Sequence, residues 1–272
     1  MISVLMSVYK NDNVEHFNDA MVSIINQDVM PNQIVIVCDG PLFFEYYKSI
    51  DYFKEKFDFS GVKFTLVKLP KNVGLGLALK EGVAHCEEKY ILRMDSDDIS
   101  RVNRIDVMNK FILENPEVDA FGSHIEEFTN VLGDLGRFRR VPLVAEDIIR
   151  FGKKRNPMNH VTMCIKKDSL IGVGSYESVI YHEDYFLWVK MILAGFKLRN
   201  IDDCLVDVRV GNDLIGRRIG LNYFKLEVNF AKKCFIAGYF NAYDYVRYLA
   251  PRFFFRIMPS SLLNSIYSQL RA

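Results

Sequence analysis

The amino-acid sequence predicts an α/β protein whose central sheet is mostly parallel and is covered by helices on both faces. Two observations lead to this fold class. Short apolar runs rich in Val and Ile alternate, along the first hundred residues, with segments whose apolar residues recur at helical spacing. The runs at 2–8 and 33–40 are also largely continuous in apolar residues, which is typical of parallel strands that are buried on both faces. A chain of 272 residues is long enough for one such domain with an appendage.

The elements of the first half follow in order from residue 2. Four apolar runs predict strands, at 2–8, 33–40, 62–69 and 89–94. The segments between them carry apolar residues at helical spacing and predict helices, at 14–27, 42–57 and 72–86. This strand–helix alternation indicates βαβ units, which place successive strands parallel in one sheet.

The second half is less regular. A helix predicted over 101–115 stops before Pro116, and residues 118–128 predict a pair of strands. Residues 129–158 are polar, contain several Gly and Pro, and predict an irregular surface segment rather than core. The remaining predicted elements are a strand at 160–166, a helix at 183–195, a strand at 205–210, and helices around 213–238 and 241–249.

The net charge of +1 conceals a basic C-terminal part. Residues 209–272 hold ten Lys or Arg against three Asp or Glu, so residues 1–208 are acidic. Such a tail suits a phospholipid surface, a diphosphate-bearing acceptor or nucleic acid, although a solvated helix face shows the same pattern. Residues 246–272 mix aromatic side chains with arginines, as membrane-interface helices do. We expect an α/β domain over 1–210 and a helical, membrane-associated extension over 211–272, with a helical lid on that domain as the alternative.

The cellular compartment is indicated by cysteine usage and by the missing export signals. Five cysteines are scattered without CxxC or zinc spacing, which favours reduced thiols in a cytosol. No apolar run approaches the roughly 18–20 residues that cross a bilayer. The N-terminus has neither a basic start nor a small-residue cleavage site, so no signal peptide is predicted. We expect a cytoplasmic protein.

Polar residues cluster where the predicted strands end, which is the edge at which open α/β sheets bind ligands. Ser7 and Tyr9 follow the first strand, Asp39 the second, and the run Asp-Ser-Asp-Asp at 95–98 the fourth. Three carboxylates so close together repel one another, which raises their pKa values or demands a cation. Oxygen ligands without Cys or His suit Mg²⁺ or Mn²⁺. A helix cap is the alternative, but capping needs only one such residue.

The glycine-rich segment at 72–86 does not fit a dinucleotide-binding fingerprint. A GxGxxG motif that starts at Gly74 requires glycine at position 79, where Leu79 stands. Gly74 and Gly76 instead allow a tight turn of the backbone beside a nucleotide.

Taken in order, several segments resemble a family 2 glycosyltransferase with the GT-A fold, close to bacterial enzymes that build O-antigen and exopolysaccharide repeat units. The matching segments are SVLMSVYKN (3–11), SIINQ (23–27), VIVCDG (35–40), NVGLGLALKEG (72–82), RMDSDD (93–98), RNPMNHVTMCIKKD (155–168), HEDYFLWVKMILAGFKLRNI (182–201) and LVDVRV (205–210). In one departure, many relatives carry two acidic residues after the second strand, and here Cys38 takes the first place. Asp39 is kept, so we expect activity.

The resemblance implies a site for a UDP-sugar donor and a divalent cation, Mn²⁺ or Mg²⁺. Asp97 is expected to ligate the cation as well as the nucleotide. Asp95 is expected to bind the ribose, or the cation indirectly. The residues expected to bind the nucleotide are Ser7, Tyr9, Asp39, Asn72, Asp95 and Asp97.

The resemblance also implies that Asp184 is the general base of an inverting transfer. It stands at a helix start beside apolar residues, which can raise its pKa towards neutrality. Glu183, His160 and Trp188 are expected to bind the acceptor or the sugar. The alternatives are a favourable interaction of the two acids with the helix dipole, and core packing for His160 and Trp188.

The resemblance therefore predicts transfer of a hexose, glucose or galactose, from a UDP-sugar to a polyprenyl-diphosphate-linked saccharide at the inner face of a bacterial plasma membrane, without a nucleic-acid partner. Two other classes stay open. A nucleotidyltransferase is expected to carry a basic, glycine-rich loop near its N-terminus, which SVYKNDN (7–13) does not resemble. A non-catalytic sugar-nucleotide-binding protein does not need both acidic motifs.

Overall fold

A computed structural model describes residues 1–211 and 220–257, and it confirms the predicted α/β class. The first four strands are β1 (Ile2–Val8), β2 (Gln33–Cys38), β3 (Lys63–Lys68) and β4 (Tyr90–Met94). The helices between them are α1 (Val14–Ile25), α2 (Phe44–Phe59) and α3 (Leu75–His85). Six of these seven elements lie within two residues of their predicted bounds, and α3 begins three residues later than predicted.

The rest of the described chain adds five strands of very different length and six more helices. In order they are β5 (Ile99–Ser100), α4 (Arg104–Glu114), β6 (Ala120–Phe128), β7 (Arg137–Arg139), α5 (Ala145–Phe151), β8 (Cys164–Lys166), α6 (Lys167–Gly172), α7 (Glu183–Leu193), β9 (Leu198–Arg209), α8 (Leu221–Ile236) and α9 (Ala242–Ile257). A 3₁₀ turn, His160–Thr162, precedes β8.

The strands form one mixed sheet in the order β3-β2-β1-β4-β8-β6-β9-β5, with β7 beside β6. The strands β3, β2, β1 and β4 are parallel, so their carboxyl ends lie along one edge. β8 joins antiparallel to β4 and to β6, and β6 then pairs parallel with the long β9. This order places the loop after β4 between the parallel half of the sheet and the second half.

The two faces of the sheet carry separate cores, as strands that are apolar throughout predict. Val4, Met6 and Val8 of β1 belong to the core that also contains residues of α1, α2 and α4. Leu5 points to the other face and belongs to a core built with α3 and α7. Both helical layers therefore pack directly on the strands whose ends form the candidate site.

Four predictions for the second half need correction. Residues 118–128 form the single strand β6 rather than a pair, and the strand predicted at 205–210 is the end of the longer β9. The segment 129–158, predicted as irregular, contains β7 and α5. The region predicted as a strand at 160–166 begins with a 3₁₀ turn. β6, β8 and β9 pair with strands distant in sequence, and such pairing leaves little local pattern.

The described part of the C-terminal extension packs on the α/β domain. Phe230 and Tyr248, from α8 and α9, share a buried cluster with Tyr185 of α7. The buried Glu227 of α8 accepts hydrogen bonds of 2.8 and 3.1 Å from Arg256 of α9, which joins the two helices. This arrangement matches the lid alternative, while the domain boundary at 210 stays a prediction. Residues 212–219 and 258–272 of the extension lie outside the described residues.

No helix within residues 1–211 and 220–257 combines the length and the apolar character that crossing a membrane requires.

Candidate active site

A cavity of about 360 Å³ opens where β1, β2 and β4 end. Its lining contains all six residues that the sequence predicts to bind the nucleotide, together with four others. The lining residues are Ser7, Tyr9, Asp12, Asp39, Asn72, Gly74, Leu75, Asp95, Ser96 and Asp97. The parallel pairing of three strands thus brings together residues that lie up to 90 positions apart in the sequence.

Asp39 holds the loop that leads into α3. Its two carboxylate oxygens accept hydrogen bonds from the main-chain N–H groups of Val73, at 2.7 Å, and Gly74, at 3.0 Å. The next residue, Gly40, has a φ of +88°, and a Cβ there would lie 2.7 Å from the nitrogen of Asn72. Only glycine allows this close approach, so the carboxylate and the loop have one fixed arrangement.

The acidic run after β4 divides between the cavity and the fold. Asp97 lines the cavity, and burial together with the charges of Asp95 and Asp12 raises its pKa to about 6. Asp98 is buried instead, and it accepts a 2.9 Å hydrogen bond from the main-chain N–H of Arg209 at the end of β9. Burial raises the pKa of Asp98 well above its ordinary value. Asp98 therefore serves the fold, and Asp97 faces the site.

Asp12 is a site residue that sequence reasoning missed. One of its carboxylate oxygens accepts hydrogen bonds from the main-chain N–H of Tyr9, at 3.1 Å, and from the Ser96 hydroxyl, at 2.9 Å. It lies in the loop after β1, so the rule that ligands bind at the carboxyl ends of parallel strands could have identified it. Burial raises the pKa of its carboxyl. Asp12, Asp95 and Asp97 offer only oxygen ligands, a donor set that fits Mg²⁺ or Mn²⁺.

A second acidic cluster, at Glu126 and Asp207, belongs to the fold. Among the described residues these two carboxylates and Cys204 form a group with the spacing of metal ligands. Arg101 occupies the space between them, donating to both carboxylates. Because a guanidinium already neutralises the group, we assign it no cation.

The second acidic motif opens α7. Asn156 donates a 2.6 Å hydrogen bond from its amide Nδ2 to Oδ2 of Asp184. Burial raises the pKa of Asp184, whereas this hydrogen bond and the charge of Arg139 lower it. Burial also raises the pKa of the neighbouring Glu183 to about 7. Asn156 lies within the matching segment 155–168, but its contact with Asp184 has no local signal in the sequence.

Arg93 connects the two acidic motifs. This side chain of β4 is 1% exposed, and its Nη2 donates to Oδ1 of Asp95. The charges of Arg93 and Asp95 both contribute to the pKa of Glu183, in opposite directions. The start of α7 also lies against the start of α3, since a Cβ added to Gly76 would be 3.2 Å from Cβ of Glu183.

His160 and Trp188 lie behind this region. Nε2 of His160 is 3.0 Å from the Tyr176 hydroxyl, and its ring lies edge-on to Trp188 at a centroid distance of 6.1 Å. Burial holds the pKa of His160 well below its ordinary value, so the imidazole is neutral. Trp188 has no exposed surface. The acceptor contact predicted for Trp188 is replaced by packing behind His160, because a fully buried ring cannot touch a ligand.

Residues 3–179 match the family described as glycosyl transferase family 2, which is well over half of the chain. The chain belongs to this family. Membership rules out the nucleotidyltransferase alternative and confirms the resemblance drawn from the ordered motifs.

Two relatives align with this glycosyltransferase along nearly its whole length. An Escherichia coli protein described as UDP-Gal:alpha-D-GlcNAc-diphosphoundecaprenol beta-1,3-galactosyltransferase is 33% identical over 268 residues, which are 98% of this chain and 95% of the relative. The amylovoran biosynthesis glycosyltransferase AmsE of Erwinia amylovora is 32% identical over 271 residues, 100% of this chain and 99% of the relative. The two relatives are thus described by galactosyl transfer to a diphosphoundecaprenol-linked GlcNAc and by amylovoran biosynthesis.

The fold of this glycosyltransferase also matches a solved structure. Residues 1–349 of TarS from S. aureus, crystallised with UDP-GlcNAc, superpose with a TM-score of 0.67 at 17% identity, covering 93% of this chain and 71% of that one. At this identity the likeness concerns the fold alone, and it confirms the predicted GT-A fold.

Proposed function

We propose that this glycosyltransferase transfers a hexose, glucose or galactose, with inversion from a UDP-sugar to a hydroxyl of a polyprenyl-diphosphate-linked saccharide, in O-antigen or exopolysaccharide synthesis. One observation carries the proposal: a cavity lined by all six expected nucleotide-binding residues lies beside the acid pair of α7, because a Cβ added to Gly76, next to the cavity residue Leu75, would be 3.2 Å from Cβ of Glu183. A galactosyltransferase among the relatives supports the hexose and the lipid-diphosphate acceptor. The UDP-GlcNAc complex of TarS supports a uridine nucleotide.

The nucleotide is bound by residues of the three loops that line the cavity. The Tyr9 ring is 37% exposed and can stack on uracil. Asp39 accepts two main-chain hydrogen bonds, and each of its oxygens keeps capacity for one more, which suits the N3–H of uracil. The hydroxyl of Ser7 and the amide of Asn72 supply further polar contacts at the same wall.

Asp97 would hold the divalent cation, Mn²⁺ or Mg²⁺, with the carboxylate of Asp12 in the same cavity. Burial, followed by the like charges of Asp95 and Asp12, raises the pKa of Asp97 to about 6, and a bound cation would relieve the repulsion among these carboxylates. When bound, the cation neutralises the charge that develops on the diphosphate of the leaving UDP. Asp95, whose Oδ1 is paired with Arg93, binds the ribose.

Asp184 accepts the proton of the attacking hydroxyl. The acceptor oxygen forms a bond to the anomeric carbon while the bond from that carbon to the diphosphate breaks, and its electron pair leaves with UDP. Inversion follows because attack and departure occur on opposite faces. Partial burial raises the pKa of Asp184 and makes it a better base, and Asn156 fixes its orientation. Glu183 and the neutral His160 bind hydroxyls of the sugar or the acceptor.

We further propose that the chain acts at the cytoplasmic face of an anionic membrane. The surface of α8 and α9 exposes Ile236, Tyr243 and Val246, each more than 60% exposed. The exposed basic side chains Lys232 and Arg247 lie on the same two helices. Apolar side chains flanked by basic ones match a bilayer with anionic headgroups. Because the two helices pack on α7, this contact would hold the active site close to a lipid-linked acceptor.

The proposed reaction is tested by UDP release from a panel of UDP-sugars, with Mn²⁺ or EDTA and a synthetic GlcNAc-diphosphate-lipid acceptor. We expect release with one hexose donor that requires both the acceptor and the cation, and that is lost in Asp184→Asn and Asp97→Ala. Asp203→Asn, at an exposed position of β9, is the control and keeps activity. Activity that survives in Asp184→Asn contradicts the assignment of Asp184 as the general base. A chain that binds UDP but releases no UDP from any donor contradicts the transfer reaction and indicates a sugar-nucleotide-binding protein.

A further inference from the structure

Arg93 is a buried cation at the edge of the nucleotide cavity. Its side chain is 1% exposed, whereas the side chain of its partner Asp95 is 34% exposed and lines the cavity. Nη2 of Arg93 donates to Oδ1 of Asp95. Within residues 1–211 and 220–257, the Nε and Nη1 atoms of Arg93 have no hydrogen-bond partner. Among the described residues, Asp95 is thus the one side chain that accepts a hydrogen bond from the guanidinium of Arg93.

A second buried arginine shows what a purely structural role looks like. Arg104 of α4 is also 1% exposed, but its terminal nitrogens donate to Met94 and to the main-chain oxygens of Arg93 and Val161. It has no hydrogen bond to a carboxylate among the described residues. Arg104 therefore ties β4 to the chain that follows α5, while Arg93 is turned to a residue of the cavity.

The pairing limits what Asp95 can do. One carboxylate oxygen is committed to the guanidinium, and the carboxylate orientation is fixed by a charge-assisted bond, which is stronger than one between neutral groups. The neighbouring Asp97 has no guanidinium partner among the described side chains; the guanidinium of Arg209 donates to its main-chain oxygen instead. Arg93 thus makes the two acids of one motif unequal, with Asp97 left for a cation and Asp95 held as an acceptor for neutral hydroxyl groups.

We propose that Arg93 is a positioning residue that sets ribose selectivity: it holds Asp95 so that the remaining carboxylate oxygen accepts a hydrogen bond from a ribose hydroxyl of the nucleotide. The inference rests on the proposed use of a uridine nucleotide. It assigns a role in nucleotide binding to Arg93, which does not itself line the cavity. It assigns Arg93 an effect on which nucleotide binds, an effect that a structural arginine does not have.

The test compares binding of UDP, 2′-deoxy-UDP and 3′-deoxy-UDP by calorimetry in EDTA, so that neither a cation nor an acceptor takes part. The wild-type chain is expected to bind UDP about tenfold or more tightly than one of the deoxy analogues, which is the value of a hydrogen bond to a charged group. In Arg93→Gln this ratio falls to about one to threefold. Arg93→Lys keeps the positive charge but loses the planar guanidinium with its paired donors. This variant is expected to keep part of the affinity ratio.

Two controls separate positioning from stability. Arg101→Gln makes the same change at an arginine that pairs with Glu126 and Asp207 away from the cavity, and it leaves the ratio unchanged. Asp95→Asn lowers the ratio by itself, and adding Arg93→Gln to it causes little further loss, because Arg93 acts through Asp95. Circular dichroism and thermal unfolding identify variants that are folded.

The binding results distinguish a failure of the positioning role from a failure of the proposed function. A folded Arg93→Gln or Arg93→Lys variant that discriminates as well as the wild type overturns the positioning role, as does a wild-type chain that binds all three nucleotides equally. A wild-type chain that binds no uridine nucleotide, either in EDTA or with Mn²⁺, contradicts the proposed function itself. UDP binding with normal ribose selectivity but without sugar transfer contradicts only the transfer reaction.

Discussion

The amide Nδ2 of Asn156 lies 2.6 Å from Oδ2 of Asp184. This hydrogen bond ties the segment after α5 to the first turn of α7. It favours the ionised form of a carboxylate that burial otherwise drives towards protonation. In the proposed reaction Asp184 is active as the carboxylate, so Asn156 adjusts the pH range in which the base is available.

Asn156→Ala is expected to shift the pH dependence of kcat/KM. Removing the donor raises the pKa of Asp184, so activity is lost at a higher pH as the solution is acidified, while activity well above that pKa stays near that of the wild type. The loss of one hydrogen bond to a charged group corresponds to a shift of about one pH unit. The measurement is the acidic limb of the kcat/KM profile. Asn26→Ala, at the exposed end of α1, is the control. Identical acidic limbs for Asn156→Ala and the wild type contradict the role of Asn156.

Asp39→Asn is expected to weaken UDP binding about tenfold or more, because the amide can accept with only one of its two terminal atoms. The N–H of either Val73 or Gly74 then loses its acceptor, and the wall of the cavity shifts. Calorimetric titration with UDP measures the effect, and Asp203→Asn is the control for a loss of charge at an exposed position. Unchanged affinity in a folded Asp39→Asn variant is inconsistent with a nucleobase contact.

Gly40→Ala is expected to lower the free energy of unfolding by about 1–3 kcal/mol, since alanine meets both a strained backbone and a blocked Cβ position. Gly61→Ala separates these causes. Gly61 has a φ of +75° but nothing within 4 Å of an added Cβ, whereas Gly40 has the nitrogen of Asn72 at 2.7 Å. Urea unfolding is expected to show the larger loss at Gly40. Equal losses show that the contact with the loop contributes nothing.

Val246→Glu combined with Ile236→Glu is expected to reduce binding to vesicles that contain anionic phospholipid by about tenfold or more, because two exposed apolar side chains are replaced by negative charges. The measurement is co-sedimentation with anionic and with zwitterionic vesicles. Ile171→Glu, at a position of α6 that is 51% exposed, is the control. Equal sedimentation of both proteins contradicts the membrane contact.

These surface variants test the membrane contact better than a truncation near residue 245. Such a truncation removes Tyr248 and Arg256, and with them the aromatic cluster shared with α7 and the partner of Glu227. A loss of vesicle binding would then report a damaged fold rather than a lost membrane surface.

The parallel half of the sheet could be predicted because its signals are local. Each strand of β1 to β4 is an apolar run closed by turn residues, and each helix between them has its own apolar spacing. The rule that ligands bind at the carboxyl ends of such strands then placed Asp39 and Asp97 at one cavity without any knowledge of their distance. The strand bounds in the second half of the sheet could not be predicted as well, because they depend on pairing between distant segments. β6 owes its single continuous strand to parallel pairing with β9, about 80 residues further along the chain.

The sequence alone determined the α/β class, the glycosyltransferase motifs and six of the ten residues that line the cavity, because strand periodicity and the order of motifs are properties of short segments. Only the tertiary structure decided that Asn156 bonds Asp184, that Arg93 holds Asp95, and that Trp188 is buried behind His160. The physical reason is that a hydrogen bond or a buried contact between distant segments depends on how helices and strands pack, and packing leaves no periodic trace at either partner.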